Sequence, residues 1–242
     1  MNSQEAKRLG TMIWSLVEQD CCEEAFAGLQ PILARPIPFR LLDIIGAAGC
    51  LVPLVQTIPF LYQIVATRAM GGWPIIGSAL KVHLPSNLAV CLEQARRFML
   101  AGDVWYAIDI LGERVPGPAL LSDFDGTLRY IDPWRSDLNS WMRRATGVAT
   151  HLWGKRRRGA PGTQNQAIQL LSLLEPLFEE HQVEAIKGVG WGLKTLGRYY
   201  PTQTSDWLSE QLFDKKRKPS ALMLRKALTY LPETEKASFI AR

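Results

Sequence analysis

The sequence predicts an all-α protein whose helices stack in pairs as an α-α superhelix, or solenoid. Apolar residues recur at helical spacing in stretches of roughly 10 to 20 residues, and Pro or Gly separates each stretch from the next. We find neither a convincing alternating strand nor a strand-helix alternation. A succession of about fourteen short helices is typical of helical repeats, so we expect a solenoid with one concave face.

The limits of each helix follow from where the apolar periodicity starts and where Pro or Gly interrupts it. Only the loop near 154–162 is predicted to be long, and no second domain is visible, so residues 1–242 are expected to form a single domain. The predicted helices cover residues 3–19, 21–34, 37–50, 53–69, 74–83, 86–101, 103–113, 117–131, 134–153, 163–180, 182–199, 203–213, 219–230 and 233–241.

The composition is ordinary for a folded soluble protein, with 47% apolar and 21% charged residues. No uninterrupted apolar run reaches the roughly 18 residues that a membrane span needs, and the polar N-terminus argues against secretion. We therefore expect no membrane association. The four cysteines, at a spacing that fits neither a disulfide framework nor a zinc site, are expected to be reduced thiols: Cys21, Cys22, Cys50 and Cys91.

The net charge of +5 permits a polyanionic partner without requiring one. Its distribution says more, because Lys155, Arg156, Arg157 and Arg158 form one basic run and residues 215–218 form another. Either run alone is more often a solvated loop than a binding site. Two of them in one moderately charged chain make a nucleic-acid partner about as expected as two solvated loops.

Three predicted helices carry polar or aromatic residues outside their buried stripe. In helix 103–113, Trp105 and Asp109 lie one turn apart on a flank, where they are either a packing aromatic beside a solvated acid or part of a site. The core stripe of this helix comprises Val104, Ala107, Ile108 and Leu111.

Helix 182–199 carries a tryptophan in the middle of a basic stripe. Trp191 either packs on a neighbouring helix or faces a nucleic-acid strand whose phosphates the cations hold, and we favour the second interpretation. The apolar face comprises Ala185, Ile186, Val189, Leu193 and Leu196, and the opposite face comprises Lys187, Trp191, Lys194 and Arg198.

Helix 134–153 is the third predicted helix with polar residues outside its buried stripe. Gly147 is expected to let another backbone approach closely, and His151 is more typical of a surface or hydrogen-bonded histidine than of a ligand. Arg143 and Arg144 are suited either to structural ion pairs or to clamping a phosphate. The predicted core stripe comprises Leu138, Trp141, Met142, Ala145, Ala149 and Leu152.

Taken in order, these motifs resemble the signature of AlkD-type DNA alkylation repair proteins, the HEAT-like repeat alkylpurine DNA glycosylases. The similarity runs from about residue 90 to 230 and ends in a tail, Lys218 to Leu231, that resembles the closing repeat of the family. Two positions differ from the family pattern. Tyr106 stands where many relatives carry a second acid, and Lys194 stands where an arginine is common. The motifs are Trp105-Tyr-Ala-Ile-Asp109, Trp141-Met-Arg-Arg144-Ala and Val189-Gly-Trp191-Gly-Leu-Lys194.

The resemblance implies a monomeric DNA glycosylase that needs no cofactor or metal and acts in base excision repair on double-stranded DNA containing N3- or N7-alkylated purines. It implies that Asp109 stabilises the cationic sugar and orients water, that Trp105 and Trp191 pack against the deoxyribose, and that Arg144 holds a flanking phosphate. Localisation would be cytoplasmic, on the nucleoid. The further residues expected to bind DNA are Lys187, Lys194, Arg198, Arg143, His151, Lys155, Arg156, Arg157 and Arg158.

Three alternatives remain. A non-catalytic HEAT-repeat protein could use the same face to hold damaged or branched DNA. Asp109 argues against this alternative, because a carboxylate that faces DNA weakens binding and is expected there only if catalysis needs it. A protein-interaction scaffold would not need the cations. Residues 123–127 reproduce the D-x-D-G-T opening of haloacid-dehalogenase-type phosphatases, but that chemistry requires the motif at the end of a strand, and the segment before it is a poor strand.

Overall fold

The computed structural model of the protein describes residues 1–240, and the side chains of Cys50, Leu51, Ser238 and Ile240 lie outside that description. The described chain contains fourteen α-helices, joined by short turns and four brief 3-10 or π segments, and no strand. The predicted all-α class is therefore confirmed. The described residues group into two compact units, Met1–Ala119 and Leu120–Arg242. The solenoid arrangement and the single domain stay predictions.

The first unit is built from six helices and a seventh that crosses its boundary. The chain enters α1 through a capping box, in which the Asn2 side chain accepts the N–H groups of Gln4 and Glu5 while the Glu5 carboxylate accepts the N–H of Asn2. The helices are α1 (Ser3–Glu18), α2 (Cys22–Leu33), α3 (Phe39–Ala47), α4 (Leu54–Ala66), α5 (Gly72–Gly102), α6 (Trp105–Arg114) and α7 (Pro116–Ser122).

Helix α5 joins two stretches that the sequence predicted as separate helices, 74–83 and 86–101. The break expected at Pro85 is a kink, because Asn87 leaves the helical region with φ −142° and ψ 44°. By length and composition, α5 is the one described helix that could cross a membrane, and half of its most apolar 18-residue window is buried inside the fold. Its packing against α3, α4 and α6 accounts for this apolar composition.

The second unit is organised around two long helices that pack closely. A Cβ atom added to Gly147 would lie 2.2 Å from the carbonyl oxygen of Gly188, so the two backbones touch where neither carries a side chain. The close approach predicted for Gly147 is confirmed. The helices are α8 (Phe124–Ile131), α9 (Ser140–Arg157), α10 (Gln164–Leu174), α11 (Val183–Tyr199), α12 (Pro201–Ser209), α13 (Ala221–Leu228) and α14 (Glu233–Ile240).

The predicted helix 117–131 is two helices, α7 and α8. Asp123 is the N-cap of α8, and its carboxylate accepts the N–H of Gly126 at 3.0 Å. The D-x-D-G-T segment therefore begins a helix instead of ending a strand, which removes the structural basis of the phosphatase interpretation.

The predicted helix 134–153 is displaced along the chain. Asn139 caps α9 by accepting the N–H of Trp141, so the helix begins at Ser140 and Leu138 lies before it. Leu138 is 97% exposed, and its predicted place in the core is wrong because the helical wheel was extended past the cap. At its other end α9 continues to Arg157, so most of the first basic run lies on the helix instead of in the predicted loop.

The cysteines are free thiols wherever the structure describes them. Cys21, Cys22 and Cys91 form no disulfide, and burial raises the pKa of the Cys91 thiol to about 12. The thiol predicted at Cys50 lies outside the described residues.

Candidate functional site

Helix α11 separates its apolar and basic residues onto opposite faces, as predicted. Ala185, Ile186, Val189, Leu193 and Leu196 are all buried. On the other face Lys187 and Arg198 are exposed, whereas Trp191 and Lys194 are half-buried. The aromatic ring and the cations therefore share one partly accessible surface.

The indole of Trp191 rests on the imidazole of His151, which α9 contributes. The two rings stack with their centroids 3.9 Å apart and their planes 22° apart. His151 Nδ1 lies 2.7 Å from Thr195 Oγ1, and that hydroxyl donates its own proton to the carbonyl oxygen of Trp191. A hydroxyl that donates to the Trp191 carbonyl can accept from Nδ1, so the two bonds are compatible with the tautomer that carries its proton on Nδ1. The hydroxyl of Thr195 thus anchors the ring of His151 at Nδ1.

His151 is held neutral by its surroundings. It is 7% exposed, and burial, followed by the positive charges of Lys155 and Lys194, lowers its pKa from 6.5 to about 4. Near pH 7 the ring therefore carries no charge with which to attract a phosphate. Its predicted part in DNA binding stays a prediction, and what the structure shows is a hydrogen-bonded histidine supporting Trp191.

A partly open cavity of about 180 Å³ lies beside this stack. The ring of Tyr230 contacts two of its cations, with Lys194 Nζ 4.4 Å and Arg198 Cζ 5.2 Å from the ring centroid. Five of the residues predicted to form the site meet here, at Trp191, His151, Lys194, Arg198 and Lys155. The full lining is His151, Lys155, Trp191, Lys194, Thr195, Arg198, Tyr199 and Tyr230.

Sequence reasoning missed Thr195, Tyr199 and Tyr230. Thr195 lies four residues after Trp191 on the same helix, so helical spacing offered a signal for it. Tyr230 follows α13, and nothing local in the sequence connects it with α11.

Arg144 and Lys187 are joined through one acid that the sequence analysis did not single out, Glu184. Arg144 is 5% exposed, and its Nη1 donates to both the carbonyl oxygen and the Oε2 atom of Glu184, each at 3.0 Å. Glu184 Oε1 accepts a bond from Lys187 Nζ at 2.6 Å. The guanidinium of Arg144 is thereby held rigidly beside the exposed ammonium of Lys187.

Arg143 has a different environment from its neighbour. Its Nε donates to Glu180 at 2.5 Å, and its Nη1 donates to the carbonyl oxygens of Asp137 and Leu138 at 2.6 and 3.0 Å. Burial acts to raise the pKa of Glu180, but the hydrogen bonds from Arg143 and from two backbone N–H groups outweigh it and lower that pKa. The contact predicted between Arg143 and DNA would have to compete with this ion pair.

The two basic runs differ in the exposure and the bonding partners of their side chains. In the first, Lys155, Arg156 and Arg158 are exposed, whereas Arg157 donates to the carbonyl oxygen of Leu121 at 2.9 Å. In the second, Lys215 and Arg217 are paired with acids of the same unit: Glu175, Glu179 and Glu210. The second run is thus partly neutralised inside the fold.

Trp105 and Asp109 lie on α6, in the first unit. Of the core stripe predicted for this helix, Ala107, Ile108 and Leu111 are fully buried, whereas Val104 precedes the helix as its N-cap and is only half-buried. Trp105 is 52% exposed and meets the ring of Tyr106 edge-on at 5.7 Å, and Asp109 is half-buried one turn later. The predicted flank position of Trp105 and Asp109 is therefore observed.

The fold and this surface define an all-helical protein that presents tryptophan and positive charge together. A family model described as DNA alkylation repair enzyme matches residues 78–231, which is more than half of the chain. The chain belongs to this family of DNA alkylation repair enzymes, and the resemblance found in the sequence is confirmed. Comparisons with curated proteins and with solved structures found no match.

Proposed function

We propose that this protein is a DNA glycosylase that hydrolyses the N-glycosidic bond of cationic N3- or N7-alkylated purines. The observation that carries the proposal is Trp191, supported by a neutral histidine and flanked by Lys194 and Arg198, in a member of the DNA alkylation repair enzyme family.

The chemistry of the lesion explains which residues such an enzyme needs. Alkylation at N3 or N7 gives the purine a formal positive charge, so the base leaves readily and needs little help from an acid. The barrier lies in the cationic sugar that develops as the bond breaks. The Asp109 carboxylate would stabilise that charge and orient the attacking water. Trp105 and Trp191 would pack against the deoxyribose, because indole faces favour adjacent positive charge.

The cations are suited to holding the DNA backbone. Lys155, Lys194 and Arg198 surround one cavity, and exposed Lys187 lies on the same face of α11. Arg144 is buried and paired with Glu184, so the phosphate contact proposed for it would have to compete with that ion pair, as for Arg143. Such a surface would grip sugar and phosphate instead of enclosing the base, and selectivity would then come from the lability of the lesion. Bulky cationic adducts could also be accepted.

The test is base release from duplex DNA carrying N7-methylguanine. We expect the wild type to release the base and Asp109→Asn to be slower by about a hundredfold or more, because the variant loses the stabilising charge. Asp125→Asn is the matched control, since Asp125 is an exposed acid in the first turn of α8. It should release the base at the wild-type rate.

Other outcomes would replace the proposal. If the wild type binds the duplex but releases neither N7-methylguanine nor a bulkier cationic adduct above the spontaneous rate, the protein is a non-catalytic DNA binder. If it does not bind the duplex at all, the scaffold alternative takes its place.

A further inference from the structure

We propose that Tyr230 is a positioning residue, which orders Lys194 and Arg198 so that they meet the phosphates of a DNA strand without first being released from an acid. The inference rests on the proposed function, in which these two cations hold the DNA backbone. The geometry behind it is one ring in contact with two cations. Lys194 Nζ lies 4.4 Å and Arg198 Cζ lies 5.2 Å from the centroid of the Tyr230 ring.

The turn that carries Tyr230 is held against α11. The next residue, Leu231, is 3% exposed. A Cβ atom added to Gly197 would lie 3.5 Å from Leu231 Cδ2 and 3.3 Å from the carbonyl oxygen of Ala227, so the end of α13 and the turn pack on α11 directly before Arg198. The buried leucine therefore fixes the backbone next to Tyr230, while the tyrosine itself is 45% exposed and lines the same cavity as the two cations.

The cations of this cavity are held without an acid. Lys194 and Arg198 lie one turn apart on α11, where like charges repel, and Lys155 adds a third positive charge to the same cavity. Among the described residues none of these three is ion-paired with a carboxylate, in contrast to Arg144 and Lys187. The face of an aromatic ring supplies the attraction instead, because its negative quadrupole draws positive charge.

An aromatic ring holds a cation differently from a carboxylate. The ring has no net charge, so the cations stay positive and their N–H groups remain available to phosphate oxygens. A glutamate partner would have to be displaced first, as for Arg143 and Arg144. Ordering a long side chain before binding also reduces the entropy that is lost on binding. Tyr230 therefore orders the cations and leaves them their full charge.

The two cations depend on Tyr230 unequally. The guanidinium of Arg198 also contacts the ring of Tyr199, whose centroid lies 5.5 Å from its Cζ. Lys194 makes the shorter contact with Tyr230. Lys194 is therefore the cation on which the loss of Tyr230 should be seen most clearly.

The experiment is a double-mutant cycle on the affinity of the full-length protein for an unmodified duplex, so it does not depend on base release. We expect Tyr230→Leu to weaken binding by about two- to tenfold, the cost of ordering a long side chain, and Tyr230→Phe, which keeps the ring, to bind like wild type. Lys194→Ala should then weaken binding at least about twofold less in the Tyr230→Leu protein than in wild type. Lys187→Ala is the matched control, because Glu184 holds this lysine, and its effect should be the same in both backgrounds.

NMR of the wild type tests the contact directly. Protons above the face of an aromatic ring are shielded, so the ε-methylene protons of Lys194 should resonate upfield of those of Lys216, an exposed lysine outside this cavity. The shift should persist in Tyr230→Phe and disappear in Tyr230→Leu.

Equal effects of Lys194→Ala in the two backgrounds would overturn the inference, as would wild-type affinity of Tyr230→Leu or an unshifted Lys194 resonance. A Tyr230→Phe protein as weak as Tyr230→Leu would also overturn it. In each case the glycosylase proposal would still stand, because N7-methylguanine release is measured separately. A wild type that does not bind the duplex would overturn both proposals.

Discussion

The imidazole of His151 lies stacked against the indole of Trp191, with 3.9 Å between the ring centroids. Each ring comes from a different helix, α9 and α11, and Thr195 is hydrogen-bonded to the imidazole at Nδ1. The arrangement gives Trp191 a rigid, uncharged support within a cationic surface. A tryptophan fixed in this way loses little side-chain freedom when it packs against a ligand.

Replacing Trp191 should affect both activity and its partner ring. Trp191→Ala is expected to slow base release by about ten- to a hundredfold, the range found when an aromatic contact to nucleic acid is removed, and Trp191→Phe should recover part of the loss. Because burial is the main cause of the low pKa of His151, that pKa should rise above about 4 in Trp191→Ala. An NMR titration of the histidine ring measures it, and an unchanged pKa would contradict the buried stack.

The protonation of His151 should couple pH to stability. Its pKa is about 4 in the folded protein and 6.5 ordinarily. Between pH 4 and pH 6.5 the unfolded chain therefore binds a proton that the folded protein does not bind. The free energy of unfolding should therefore fall as pH falls from about 6.5 to about 4, by up to about 1.4 kcal/mol per pH unit.

The comparison is with His151→Asn, whose amide can still donate to Thr195 but does not titrate. Urea unfolding at about pH 7.5 and about pH 5 should show wild type losing roughly 2 kcal/mol more than the variant. His83, whose pKa is also lowered by burial, contributes equally to both proteins and cancels. Equal losses in the two would show that His151 titrates normally.

The cations of α11 should determine how strongly DNA binding depends on salt. Lys187→Ala, Lys194→Ala and Arg198→Ala are each expected to weaken duplex binding and to reduce the slope of log affinity against log salt by about 1, as for the loss of one phosphate contact. Lys218→Ala, in the second basic run, removes the same charge and is the control. If all four variants keep the wild-type slope in gel-shift titrations, this face does not bind the DNA backbone.

The contact between α9 and α11 should tolerate no side chain at Gly147. Gly147→Ala would bring a Cβ atom to 2.2 Å from the Gly188 carbonyl oxygen, which forces the helices apart. We expect the free energy of unfolding to fall by about 2 kcal/mol or more. Gly28→Ala is the matched control, because there the added Cβ meets only Met12 Cε at 3.4 Å and the helix should gain slightly from alanine. Unfolding in urea compares the two, and equal stability would contradict the close packing.

The sequence by itself determined the helical class, the two faces of α11 and the need for glycine at position 147. These properties follow from spacing within one helix, where residues three or four apart share a face. The family was also readable, because its motifs are short and lie on single helices. The first residue of a helix was harder to predict. The predicted helix began at residue 134, before the actual cap at Asn139, and the exposed Leu138 was therefore placed in the core.

Only the tertiary structure decided which cations and aromatics act together. Arg143 pairs with Glu180, Arg144 with Glu184 and His151 with Thr195, at separations of 37, 40 and 44 residues. The packing of α9 against α11 creates the pairs of Arg144 and His151, and Glu180, the partner of Arg143, lies in the connection just before α11. A helical wheel describes only the residues of its own helix. Whether an arginine is committed to a glutamate or a histidine is kept neutral depends on neighbours that folding brings from elsewhere in the chain.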